Sequence, residues 1–210
     1  MGGLDYNVKV NGTSINARNA ALAQTSNNHK IFRALVNKNT KLKKQNAELI
    51  PLYIRYMKVL TKAMRPHSFQ GRPLYRGLSN VRNHFTTQAT RKTFSSFTSN
   101  LNIAKWFLRN QKQILRINNP QNIPSIVYGG QNGYTSHYPS EQEVLLPPGT
   151  FTRSESNIIE YNKRFDSKIH IIPVRFNVNQ AFMKDPNVHI LPKYKAMTRT
   201  PNTRTPKNIP

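Results

Sequence analysis

Apolar residues recur at helical spacing mainly in the first third of the chain. In HKIFRALVNK (residues 29–38), Ile31, Leu35 and Val36 fall at i, i+4 and i+5, which predicts an amphipathic helix. AELIPLYIRYMKVLTKAM (47–64) carries Ile54, Met57, Val59 and Leu60 at similar intervals. Pro51 suits a first helical turn there, and Pro66 stops the helix. From residue 73 the pattern shortens. PLYRGLS (73–79) reads as a strand ending at Gly77, and KTFSSFTSN (92–100) as a second strand rich in Thr, Ser and Phe. Strand alternation puts Ser96 and Thr98 on one face and Phe97 on the other. Asn100 is placed to cap a helix over LNIAKWFLRN, with Ile103, Ala104, Phe107 and Leu108 on one face and Trp106 in the packing. QILRI, EVLLP, TFTR and KIHIIPVRFNV complete the strands, with Pro-Pro-Gly turning EVLLP into TFTR. Helices first, then strands around one helix, predict an α+β fold rather than alternating α/β.

The same pattern divides the chain into a polar N-terminal arm (1–18), one domain (19–180) and a Pro-rich tail (181–210). Within the domain, 19–66 is helical and 73–176 is rich in strands. The arm MGGLDYNVKV lacks the apolar core of a signal peptide, and Tyr6 breaks the myristoylation pattern. No apolar run is long enough to span a bilayer, so a soluble protein without a membrane partner is expected.

Composition changes the picture through charge. The chain has 32 Lys+Arg against 8 Asp+Glu, a formal charge of +24. That favours anionic partners: a polyphosphate ligand, nucleic acid or an acidic protein. The cations are spread along the chain, with no block of like charge. There is no cysteine, which excludes disulfides, thiolate metal sites and a thiol nucleophile. The six histidines show no i, i+3 or i, i+4 pair, so no metal site is expected.

Acids are scarce enough that their positions carry weight. None lies between residues 49 and 140, and then Glu141 and Glu143 appear two apart in YPSEQEVLLPPGTF. In an extended segment such residues face the same way, their Cα atoms about 6.6 Å apart. Two carboxylates on one face suit chemistry at a sugar carbon, one stabilising positive charge and the other handling the attacking group. A pair of solvated acids guarding an apolar strand fits the same spacing. Arg76 before Gly77 offers a planar fork for phosphate where a ligand can approach the backbone, though a lone Arg-Gly also suits an ordinary surface. Ser96 and Thr98 could hold a carboxylate in one rotamer.

Taken in order, Arg76-Gly77, then Ser96-Phe97-Thr98 leading into NIAKWF, then EQEVLLPPGT, the chain resembles the arginine-serine-glutamate class of mono-ADP-ribosyltransferases. The pattern is most similar to the small T4-type bacteriophage enzymes. The resemblance covers about residues 73–153, or to 176 if KIHIIPVRF is the closing strand, and EQEVLLPPGT is its most specific part. It implies a mixed β core in two sheets, NAD as substrate, no metal, and transfer of one ADP-ribose to an arginine of an acceptor protein. It implies that Arg76, with Gly77, binds the NAD pyrophosphate and that Ser96 positions Glu143. Thr98 would support the NAD-binding strand, and Glu143 would contact the nicotinamide ribose. Glu141 would orient or deprotonate the acceptor guanidinium, since in this class glutamate there goes with arginine and glutamine with asparagine. Tyr138 would face the acceptor. The middle element is Ser-Phe-Thr rather than Ser-Thr-Ser, and Thr98-Ser99-Asn100 is the other register. A monomeric viral or toxin effector acting in the cytoplasm of a host or target cell is expected. Transfer to nucleic acid, and a purely binding basic module, are the rival readings.

Overall fold

The computed structural model describes residues 7–10, 13–16, 19–21, 24, 29–38, 44–69, 71–78, 85–108, 112–128, 139–162 and 166–196. A hairpin of β1 (Asn7–Val10) and β2 (Thr13–Asn16) comes first. Helix α1 (His29–Val36) follows, then α2 (Ile50–Ala63), with Pro51 in the first turn of α2 as anticipated. The hairpin lies against α2, so the expected arm begins as folded structure. Helix α2 ends where Met64 turns extended, and Arg65, the residue before Pro66, opens a strand, as proline's neighbour prefers. One face of α2 buries Tyr53, Ile54, Met57 and Leu60. Thr61 on that face is neutralised by donating to the Met57 carbonyl at 2.8 Å.

Ten further strands form the sheet: β3 (Arg65–His67), β4 (Leu74–Leu78), β5 (Gln88–Arg91), β6 (Ser95–Thr98), β7 (Gln113–Ile117), β8 (Ile123–Val127), β9 (Glu143–Leu146), β10 (Gly149–Arg153), β11 (Ile158–Asn162) and β12 (Ser167–Val178). Helix α3 (Leu101–Trp106) lies between β6 and β7. The hydrogen-bonded order is β3-β8-β9-β6-β4-β7-β12-β10-β5, with β11 on β12. The pairings thus join in one path where the resemblance implied two sheets. The path narrows between β4 and β6, where a single pair, Tyr75 opposite Thr98, carries it. The other joint is β12. Up to Pro173 it runs parallel to β7, and from Val174 it pairs antiparallel with β10. Proline, lacking an N–H, sits where the partner changes.

The core explains why EVLLP reads as an unbroken apolar run. Strand β9 is buried on both faces: Leu145 joins a core with α1 and α2, while Val144 and Leu146 join the core of Phe97, Leu115, Phe151 and Ile172. Asn100 caps α3 as predicted, its side chain accepting from the Asn102 N–H at 2.9 Å. Trp106 departs from expectation: it is 64% exposed, because the buried face of this short helix is carried by Ile103 and Ala104.

The C-terminal boundary also differs. Residues expected to begin a tail form α4 (Gln180–Lys184), a 3-10 turn (Pro186–His189) and α5 (Pro192–Ala196). Phe182, Ile190 and Tyr194 are buried against α1 and α2, and the Leu191 N–H donates to the Leu35 carbonyl at 2.9 Å. Residues 197–210 of the expected tail lie outside the described residues. Among the described residues no helix is long and apolar enough to cross a membrane.

Candidate active site

Because the sheet is held by one pair between β4 and β6, a cleft opens there on the side facing α1. A cavity of about 470 Å³ fills it, lined by Arg76 and Gly77 of β4, Ser96 and Thr98 of β6, and Glu141 and Glu143 beside β9. Six of the seven residues singled out from sequence therefore meet in one place. Tyr138, the seventh, lies outside the described residues.

Each is positioned by a local reason. Glu143 opens β9 directly opposite Thr98, so the two side chains share a face, and Ser96 lies on that face two residues along. The Ser96 hydroxyl thus faces the Glu143 carboxylate and favours its ionised form. Arg76 reaches across the narrowed part of the sheet, its Nη1 donating to the Ser96 carbonyl at 2.6 Å. A side chain thus occupies an acceptor on a strand that meets β4 through only one pair. That fixes both the arginine and the strand that carries the serine.

The segment holding Glu141 is not the extended one that the spacing suggested. Pro139–Glu141 is a 3-10 turn and Gln142 has φ 46°, a left-handed conformation that reverses the chain before β9. Thr98 maintains this turn. Its hydroxyl donates to the Glu141 carbonyl at 2.8 Å and accepts from the Asn100 N–H at 3.1 Å. Ser99 adds a bond to the Gln142 side chain at 3.2 Å. Both glutamates still line the cavity, but by a tight turn rather than by strand alternation.

Gly77 also has a different reason. A Cβ there would lie 2.3 Å from the Ala104 carbonyl and 3.1 Å from Phe107 Cβ, so the glycine admits α3 against β4.

The cavity holds groups of both charges. Glu143 is buried, and burial pushes its carboxyl above the ordinary value. The Ser96 hydroxyl opposes this, Glu141 adds to it, and the Arg76 charge opposes it. Burial likewise raises Glu141. An excess of cations such as this chain carries favours ionised acids, but desolvation is the larger effect at both glutamates. Arg76 and Arg33 also line the cavity, and Arg91 lies near enough to add its charge to theirs. Burial, then Arg91, then Arg33 pull Arg76 down to about 9, with Glu143 in opposition. Burial lowers Arg33 as well, and burial with Arg33 lowers Arg91. Such crowding is relieved by an anion.

The sequence reading missed Arg33 and Arg91. Arg33 sits on the helix of HKIFRALVNK, where it read as the polar face, and Arg91 lies on β5 in QATR, which has no strong strand pattern. Gln24, His29 and Thr93 also line the cavity. Gln24 Oε1, Arg76 Nε and Thr93 Oγ1 are buried without a hydrogen-bond partner. Buried polar atoms are usually satisfied, so three orphans around one cavity mark it as built for a polar ligand.

No protein-family model matches the sequence, and no curated protein matches it. Solved structures do share its fold. Plx2a, an ADP-ribosyltransferase toxin from Paenibacillus larvae, is similar over 77% of this chain and 85% of its own, at 16% identity and a TM-score of 0.52. C3larvin toxin, an ADP-ribosyltransferase from the same organism, is similar over 81% of this chain and 97% of its own, at 13% identity and a TM-score of 0.50. The enzymatic component C2-I of the C2 toxin from Clostridium botulinum is similar over 77% of this chain, at 14% identity and a TM-score of 0.51. Only 43% of that chain is covered. The chain has the α+β fold of the ADP-ribosyltransferase toxins.

Proposed function

We propose that this protein transfers a single ADP-ribose from NAD to an arginine side chain of an acceptor protein and releases nicotinamide, as a member of the arginine-serine-glutamate class. The observation that carries the reading is the cavity itself. A buried carboxylate beside Ser96 and a second carboxylate share the cavity with Arg76 and Arg33, and Arg91 adds its charge to theirs. NAD fits that arrangement: its two phosphates suit Arg76, Arg33 and Arg91, and its polar groups can pair the orphaned atoms of Gln24, Arg76 and Thr93.

The chemistry follows from the residues. Cleavage of the bond between ribose C1′ and the nicotinamide nitrogen sends the bonding electrons to nicotinamide, which leaves neutral. Positive charge develops on the ribose. Glu143 is placed to stabilise that charge and to accept from the ribose 2′-hydroxyl. Its desolvation strengthens the effect, since a fixed charge in a dry cleft acts more strongly than in water. A guanidine nitrogen then bonds to C1′, and Glu141 takes the proton it loses. Arg76 binds phosphate while its Nη1 ties it to β6, so the ligand and Ser96 share one anchor. Thr98 acts through the turn that presents Glu141.

The test is incubation with NAD and a lysate, with mass-spectrometric mapping of the modified residues. ADP-ribose on arginine of proteins is expected. Glu143→Gln should abolish both transfer and NAD cleavage, a loss of at least ~10²–10³-fold. Glu141→Gln should remove arginine transfer and leave some NAD hydrolysis. Full arginine modification by Glu141→Gln would refute the role given to that residue. Label in the nuclease-sensitive fraction would favour a nucleic-acid acceptor.

A further inference from the structure

We propose that the end of α3 and the edge strand β11 form the docking surface for the acceptor protein, which presents an apolar patch ringed by carboxylates beside the modified side chain. This rests on the transferase reading above. Trp106 is 64% exposed, Phe107 48% and Ile158 40%. Large apolar side chains clustered at a surface mark an interaction site far more often than scattered ones do.

These residues lie on one side of the molecule. The Lys105–Glu160 ion pair, at 2.9 Å, ties α3 to β11. In β11, Ile158 pairs with Ile171 and Glu160 with Ile169, and both partners belong to the core beneath α3. Directly paired residues point the same way, so Ile158 and Glu160 face the α3 side. Ile159 and Tyr161, 56% and 59% exposed, occupy the other side of β11. Among the described residues β11 pairs only with β12 and leaves one edge open.

The occupant follows from position and charge. Phe107 lines the same cavity as Glu141, so the α3 end of this surface adjoins the space to which the acceptor side chain is delivered. A second copy of the chain is disfavoured by a charge of +24 on each copy. Trp106 and Phe107 can stack on a base but Ile158 cannot, so the loss caused by Ile158→Ser separates a protein partner from a nucleic acid. A protein with carboxylates around an apolar centre complements the exposed apolar side chains and the net charge of the chain.

The full chain is tested as Trp106→Ser, Ile158→Ser and the double variant, neither residue lining the cavity. Three rates are compared: NAD cleavage without acceptor, transfer to agmatine as a free guanidine, and transfer to lysate proteins. The first two should stay within ~2-fold of the parent while protein labelling falls ~10-fold or more in the double variant, the effect of losing an interface anchor. Unchanged protein labelling, an equal fall in all three rates, or label recovered on nucleic acid would each overturn the docking surface. A parent chain that cleaves no NAD would overturn the transferase reading and this surface with it.

Discussion

At the residue scale, burial of acid is the central compromise. A carboxyl whose folded pKa is raised favours the folded state below its unfolded pKa, and that contribution is lost as pH rises through the folded value. Near neutral pH the ionised Glu143 therefore costs stability. Glu143→Gln should raise Tm at pH 7, since it removes the charge whose burial is unfavourable. The gain should shrink as pH falls through the carboxylate range, which differential scanning calorimetry at several pH values would show. The proposed mechanism uses Glu143 ionised, so activity in the parent should fall on the acid side at a pH above the ordinary carboxylate value of 4.5. Gly77 makes a second single-residue demand. A methyl group there meets the Ala104 carbonyl at 2.3 Å, so Gly77→Ala should cost ~1–3 kcal/mol in urea unfolding by pushing α3 off β4. Both glutamates were legible from their rarity in the chain. Their desolvation was not, since it depends on residues brought from β6 and α1.

At the element scale, the site is made by an incomplete strand pairing. Strands β4 and β6 share one pair, and the gap beside it receives the Arg76 side chain. No local pattern in PLYRGLS or SSFT reports which strands become neighbours or where their pairing stops. Capping and turn chemistry were better signalled: Asn100 caps α3, and Pro51 opens α2, each through interactions within a few residues. The C-terminal segment shows the opposite case. Pro186 and Pro192 read as tail punctuation, yet they begin short helical turns. Those turns are too short to display a period, and they are held by burial of Phe182, Ile190 and Tyr194 against α1 and α2. Phe182→Ala should therefore cost ~3–5 kcal/mol by denaturant unfolding. A segment serving as a tail would show almost none.

At the scale of the molecule, the positive charge at the cavity comes from Arg33 of α1 and Arg76 of β4, which line it, with Arg91 of β5 adding its charge nearby. Helix α1 thus lines the cavity as well as covering the core. Arg33→Ala should raise the KM for NAD ~10-fold, with kcat changed less than ~3-fold, because it removes binding that ground and transition states share. NAD should raise Tm, and the rise should be larger at low salt, since the anion neutralises like charges held close together.

The sequence by itself determined the α+β class, the helix over 50–63 and the central strands, through periodicity and capping that act over a few residues. It also singled out Glu141 and Glu143 by the scarcity of acid, and Arg76 and Ser96 by their order upstream, and all four line one cavity. Tertiary structure decided the turn that brings Glu141 beside Glu143, the arginines that join Arg76, the need for Gly77, and the folding of residues 180–196. Each of these depends on contacts between segments far apart in the chain. The burial and charge crowding that shape the cavity exist only once those segments are packed together.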